Sequence, residues 1–221
     1  MTDRPFFENW PGTIINLPAQ PSTPPSSWEL MSILSDKNNQ LTAAEFNEPG
    51  PRQGNAGGAF GIFRCRNIHE PSDVAVMEVF IQVPYAGSEY AIYEERARQA
   101  SKTGINMTAR RELDSLEALT KAKCPNTPLI RQKWETKQDS SGSSDKLGRG
   151  LVPGGFLCYV LMEHAKGVQM EKSQFWSRDA QEREMIRRAF KEAYLNCLEA
   201  GVLPWMMGQG HLFWDAGASK M

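Results

Sequence analysis

Residues Phe156 to Met162 form an unbroken apolar run, Phe-Leu-Cys-Tyr-Val-Leu-Met, with Gly154-Gly155 before it and Glu163 after it. The run is far too short to span a bilayer, so it reads as a fully buried strand inside a sheet. Beyond Gly167, Asp179 followed by Glu182 makes a capping box. Met185, Ile186, Ala189, Phe190, Ala193, Tyr194, Cys197 and Leu198 then recur as the stripe of an amphipathic helix, which Gly201 stops. Two readings of these elements stand side by side: plain core, or a cleft-lining strand and its support.

A chain of 221 residues with 40% hydrophobic content suits one domain of two lobes or two small domains, and needs no disulfides to fold. Its 25 basic and 26 acidic side chains give a net charge of −1, with no long basic run, so nucleic acid is not expected as a partner. Cys65, Cys124, Cys158 and Cys197 are far apart in sequence, and only three His occur, so no zinc or other metal site is indicated. Buried thiols in a reducing compartment are expected instead. Asp3, Arg4 and Glu8 stand where a signal peptide would carry a positive segment and an apolar core. The expected location is the cytoplasm, with the nucleus as the alternative and no membrane partner.

Residues 1–27 hold six prolines among Ser and Thr, a composition that predicts a mobile leader. Trp28, Leu30, Met31, Ile33 and Leu34 predict a short helix docked on the body, and the alternative is a partner-binding segment. Residues 49–58 are dense in glycine, with Gly54, Gly57 and Gly58 as candidates for a phosphate-cradling backbone and a plain surface loop as the simpler reading. A strand follows at Ala59 to Arg66. Asp73 to Val83 is the strongest strand of the first half. Tyr90 to Lys102 and Met107 to Lys121 read as helical. Another strand falls around Leu129 to Trp134, and Lys137 to Gly150 is a Ser-, Gly- and charge-rich loop.

Val152-Pro-Gly-Gly-Phe156, Leu161-Met-Glu-His-Ala-Lys-Gly167, Ile186-Arg-Arg-Ala-Phe190 and Gly201-Val-Leu-Pro204 resemble, in order and spacing, the hinge and first large helix of fungal protein-kinase-like proteins akin to aminoglycoside phosphotransferases. The resemblance covers roughly residues 50–215. It implies an α+β protein-kinase-like fold: an antiparallel-sheet small lobe with a helix C and a hinge, plus a partial helical large lobe. The implied division is a leader and docking segment at 1–40, a small lobe at 41–163 and a truncated large lobe at 164–221. Adenine would dock at Met162 and Glu163, and Glu112 would be the helix C glutamate.

The residues that carry phosphoryl transfer in that family are degenerate here. Glu78 stands at the lysine that holds the phosphates, Met206 at the catalytic Asp and His211 at the metal-binding Asn. Phosphoryl transfer works by positioning and electrostatics, and these substitutions remove its cation, its magnesium ligand and its base. Two carboxylates at Glu78 and Glu112, if close, predict a raised pKa or an intervening cation. The simpler expectation is that Glu78 faces solvent on an alternating strand. His211 reads first as a turn residue, and otherwise as a base or soft-metal ligand. Trp205, Phe213 and Trp214 cover core or form an exposed patch. The resemblance thus implies a non-catalytic, pseudokinase-like protein that binds a protein partner or a small molecule in its cleft. ATP is the nucleotide it suggests, without Mg²⁺, and exposed apolar surface predicts self-association. The alternative is an ATP-dependent phosphotransferase whose catalytic half is missing or divergent in this chain.

Overall fold

The computed structural model describes residues 5–48, 56–139, 151–204 and 211–221. The chain divides into two compact units, one of residues 1–112 and 131–162, the other of 113–130 and 163–221. Each is described by itself.

The first unit is built on six strands: β1 (Ile14–Leu17), β2 (Ser26–Asn39), β3 (Gly58–Asn67), β4 (Val74–Gln82), β5 (Ile130–Lys137) and β6 (Phe156–Glu163), in the order β1-β2-β3-β4-β6-β5. The pairs β1–β2, β2–β3 and β3–β4 are antiparallel. Register shifts in β2 between Leu30 and Ser32 and between Ile33 and Ser35 bend the long strand, as β-bulges do. The sheet curls until its two edges meet. Gln132 on β5 donates to the carbonyl of Pro18 (2.7 Å) and accepts from the hydroxyl of Ser26 (2.8 Å), and Gln20 donates to the carbonyl of Lys133. The Arg131 guanidinium lies 5.0 Å from the centroid of the Trp28 ring. Side-chain bonds thus bridge the two edges, whose backbone groups would otherwise be open to pairing.

Inside the curl, alternate residues of every strand point inward: Leu17, Leu30, Phe63, Met77, Trp134 and Tyr159 belong to one cluster. Trp134 and Tyr159 stack at 5.6 Å. The segment expected to be a mobile leader supplies part of this core. Phe7 and Trp10 are both 0% exposed, and their rings pack on Phe63. Proline-rich composition argues against helix and regular strand, but not against aromatic side chains packing into the core of a sheet.

The kinase-like expectation is corrected by this architecture. The body is a mostly antiparallel, nearly closed six-stranded sheet with few helices, rather than a small lobe with helix C and hinge beside a helical large lobe. Trp28 to Leu34, expected as a docked helix, runs instead within β2, where Trp28 and Leu30 are buried and the register shifts break the alternation beyond them. Of the helical reading at Tyr90 to Lys102, only α2 (Tyr93–Ala97) forms, after the short α1 (Ala43–Asn47) with its Thr42 capping box. The helix read over Met107 to Lys121 is α3 (Met107–Lys121).

The second unit contains the C-terminal part of α3, β7 (Val168–Gln169), α4 (Lys172–Ser177), α5 (Ala180–Glu199) and β8 (Phe213–Trp214), with β7 and β8 antiparallel. Asp179 caps α5 by accepting from the amide of Glu182 at 2.8 Å. Gly201, at φ +79°, ends it. No helix among the described residues is long and apolar enough to cross a membrane.

Candidate functional site

In the first unit the face of the sheet opposite the aromatic core carries an unusual carboxyl. From Met77 to Gln82 every residue of β4 is buried, so the strand is covered on both faces and alternation does not bring Glu78 to solvent. Glu78 is 4% exposed, which overturns the expectation of a solvent-facing side chain. Burial pushes its pKa up to about 8, the nearby Glu112 carboxylate adds to the rise, and Lys37 opposes it. Register explains Lys37: it pairs with Phe60, which pairs with Phe80, two residues from Glu78 on the same face. The anticipated coupling of Glu78 with Glu112 is therefore present, together with a cation that sequence spacing did not reveal.

The same face holds Cys158, whose thiol burial and the Glu135 charge push up to about 12. Glu135 is itself ion-paired with Arg110 and Lys133, each at 3.1 Å. Burial raises its pKa, but the hydrogen bonds from Lys133 and Arg110 outweigh that and hold it below the usual carboxylate value. At neutral pH Glu78 is a protonated acid beside these fixed charges. In that neutral form Glu78 itself offers no charge to a phosphate or a magnesium ion.

The other predicted residues are placed as follows. Gly57 and Gly58 are buried, and their missing side chains serve packing. A Cβ on Gly58 would lie 2.7 Å from Nδ2 of Asn106, and one on Gly57 would lie 3.1 Å from the Leu41 amide. Gly54 and Met206 lie outside the described residues. Met162 is buried at the end of β6, whereas Glu163 is exposed and accepts from the Leu129 amide at 3.3 Å. Glu112 and His211 are exposed. Trp214 is buried in the second unit, and Trp205 lies outside the described residues. Among the described residues no group of three or more His, Cys, Asp or Glu is arranged to hold a metal ion.

The concave site lies in the second unit. A cavity of about 250 Å³ is lined by Met170, Glu171, Phe175, Trp176, Ile186, Arg187, Phe190, Leu212 and Met221. Two of its lining residues, Met170 and Ile186, belong to the cluster that also holds Ala189 and Trp214. The rings of Phe175 and Trp176 on α4 meet edge to face at 5.2 Å, and the Arg187 guanidinium sits 5.4 Å from the Phe175 centroid. Arg187 and Glu171 are the two charged groups in an otherwise apolar wall. The α5 stripe named Ile186 and Phe190, but periodicity cannot distinguish a residue packed on a neighbour from one that faces a cavity. The partners on α4 and beside the β7–β8 pair, Phe175, Trp176, Met170, Glu171 and Leu212, were not singled out by any sequence pattern.

A scan of the chain against protein-family models and a search of curated proteins returned no match.

Proposed function

We propose that the chain is a non-catalytic binding protein and that its ligand is a small one- or two-ring molecule seated in the cavity of the second unit. The observation that carries this reading is the cavity itself: concave, walled by aliphatic and aromatic side chains, with two charges to orient an occupant. Ligand sites typically combine a mostly apolar wall with few polar groups, at volumes of about 300–1,000 Å³, so a 250 Å³ cavity calls for a compact ligand. A polar substituent on that ligand would face Arg187 or Glu171. The working compartment fits the cytoplasm, with the nucleus as the alternative, since the chain keeps four free thiols.

The test is thermal unfolding of the purified chain with a panel of one- and two-ring aromatic acids and amines, and with ATP in the presence and absence of Mg²⁺. A ligand at 100 times its Kd stabilises by about 2.7 kcal/mol. The proposal expects such a shift from at least one panel compound, and its loss when Leu212→Trp fills the cavity. A panel without effect, or a shift that survives the filled cavity, would overturn it. Phosphate transfer from ATP by the purified chain would overturn the non-catalytic part and favour the phosphotransferase alternative.

A further inference from the structure

The cysteines, read as four isolated thiols, include one pair that the fold brings together. Cys124 and Cys197 sit at the ends of two helices that finish in the same way. At the end of α3 the Cys124 amide bonds to the Leu119 carbonyl and the Lys123 amide to the Thr120 carbonyl, each at 3.0 Å, with Lys123 at φ +52°. At the end of α5 the Val202 amide bonds to Cys197 and the Gly201 amide to Leu198, each at 2.9 Å. Both are Schellman motifs, and each normally closes with an apolar contact across its last turn. Cys124 on Leu119 provides the first contact, and Val202 on Cys197 the second. The two contacts merge into one satellite cluster of Leu119, Cys124, Cys197, Ala200 and Val202. The Cys197 thiol shares a side-chain hydrogen bond with Cys124, and burial first, then that neighbouring thiol, push its pKa up to about 11, so the reactive thiolate is a minor form. A hydrogen bond from Asn196 to the side-chain carbonyl of Asn126, at 2.6 Å, clamps the residues beside them.

We propose that Cys124 and Cys197 form a reversible modification site, closing to an intramolecular disulfide when the protein meets hydrogen peroxide. Cys197, the less buried residue of the pair at 8% exposed against 3% for Cys124, is assigned the first step. Its thiolate attacks a peroxide oxygen, the O–O bond breaks, and hydroxide leaves to take up the thiol's proton as water. Cys197 is then a sulfenic acid. Cys124 attacks that sulfur, the S–S bond forms, and the sulfenic oxygen departs with the second thiol proton as another water. Two thiols lose two electrons and one peroxide becomes two waters, so the step balances. A low-molecular-weight dithiol reverses it by exchange. Cys65 and Cys158 are both fully buried in the first unit, each without a neighbouring thiol in its surroundings, and take no part.

The experiment treats the folded full-length chain with hydrogen peroxide, alkylates the remaining thiols, and maps disulfides by mass spectrometry of a non-reducing digest. The expected result is one cross-linked peptide pair, joining Cys124 to Cys197, with two of the four thiols lost and both regained in dithiothreitol. In Cys124→Ser, provided its circular dichroism matches the parent, Cys197 should instead be trapped by dimedone as sulfenic acid. If that variant does not fold, the mapped cross-link of the parent chain decides. A link through Cys65 or Cys158, a link formed only in denaturant, or four thiols retained after peroxide treatment would each overturn the proposal.

Discussion

Replacing Glu78 by Gln should make the protein more stable at alkaline pH while changing little at acid pH. The unfolded chain ionises this carboxyl near 4.5, the folded chain at about 8. Between those values the folded state holds a proton that the unfolded state has released, so stability falls as pH rises. The contribution is complete below about pH 4.5 and gone once pH has climbed through about 8. At about 1.36 kcal/mol per pH unit the whole window is worth about 5 kcal/mol. Gln keeps the shape and cannot ionise, so it removes that slope. Urea unfolding of both proteins at pH 5, 7 and 9 is the assay. Curves that agree within about 1 kcal/mol at pH 5 and separate by about 3–5 kcal/mol at pH 9, with Gln ahead, are expected. Parallel curves over the whole range would refute the buried, proton-holding Glu78. The neighbours provide an internal control. Glu112→Gln removes the like charge and should shift the upper end of the window down, whereas Lys37→Met should shift it up.

Three further substitutions test the packing. Gln82 is 1% exposed, accepts from the amides of Ser101 (3.0 Å) and Phe156 (3.3 Å), and donates to the Gln99 carbonyl (2.6 Å). Gln82→Leu leaves these groups without that partner, so a loss of about 3 kcal/mol and faster amide exchange at Ser101 and Phe156 are expected. Gly167 has φ +93°, and a Cβ there would lie 2.4 Å from the Trp214 carbonyl oxygen. Gly167→Ala should therefore cost more than about 2 kcal/mol, read as a drop in the unfolding midpoint. Lys123 holds a left-handed conformation at the end of α3, so Lys123→Gly should raise stability by up to about 1 kcal/mol in the same assay.

The local elements were legible where one physical signal dominates. The apolar run at Phe156 to Met162 is β6, the β-branched stretch at Asp73 to Val83 contains β4, and the capped stripe after Asp179 is α5. What the sequence concealed depends on long-range closure. Trp28 to Leu34 has apolar residues compatible with either period, and only pairing with β1 and β3 decides that it is strand. Phe7 and Trp10 sit in a proline-rich segment whose composition says nothing of the core they join. Glu78 was noticed for its identity, but its burial follows from coverage of both faces of β4, which no alternation pattern reports. The cavity was hidden for a related reason. It needs α4, α5 and the residues flanking β7 and β8 at once, and α4 and those flanking segments are too short to leave a periodic trace.

The two units treat buried polarity differently, and the difference bears on where a ligand would act. In the first unit the buried glutamines at 82, 99 and 138 are bonded to backbone groups on several segments, so polarity there fixes loops. Among the described residues, the buried side-chain polar atoms without a hydrogen-bond partner are Oγ1 of Thr127, Oε1 of Gln174, Nε of Arg178 and Nε1 of Trp214. All four belong to the second unit. Each such group costs about 1–3 kcal/mol when left unpaired, a cost tolerated chiefly where something else completes the bonding. Trp214 belongs to the cluster that shares Met170 and Ile186 with the cavity wall, and Gln174 precedes the cavity residue Phe175 on α4. Aromatic acids, which Arg187 would pair, and aromatic amines, which Glu171 would pair, are the compounds with which a ligand search should begin.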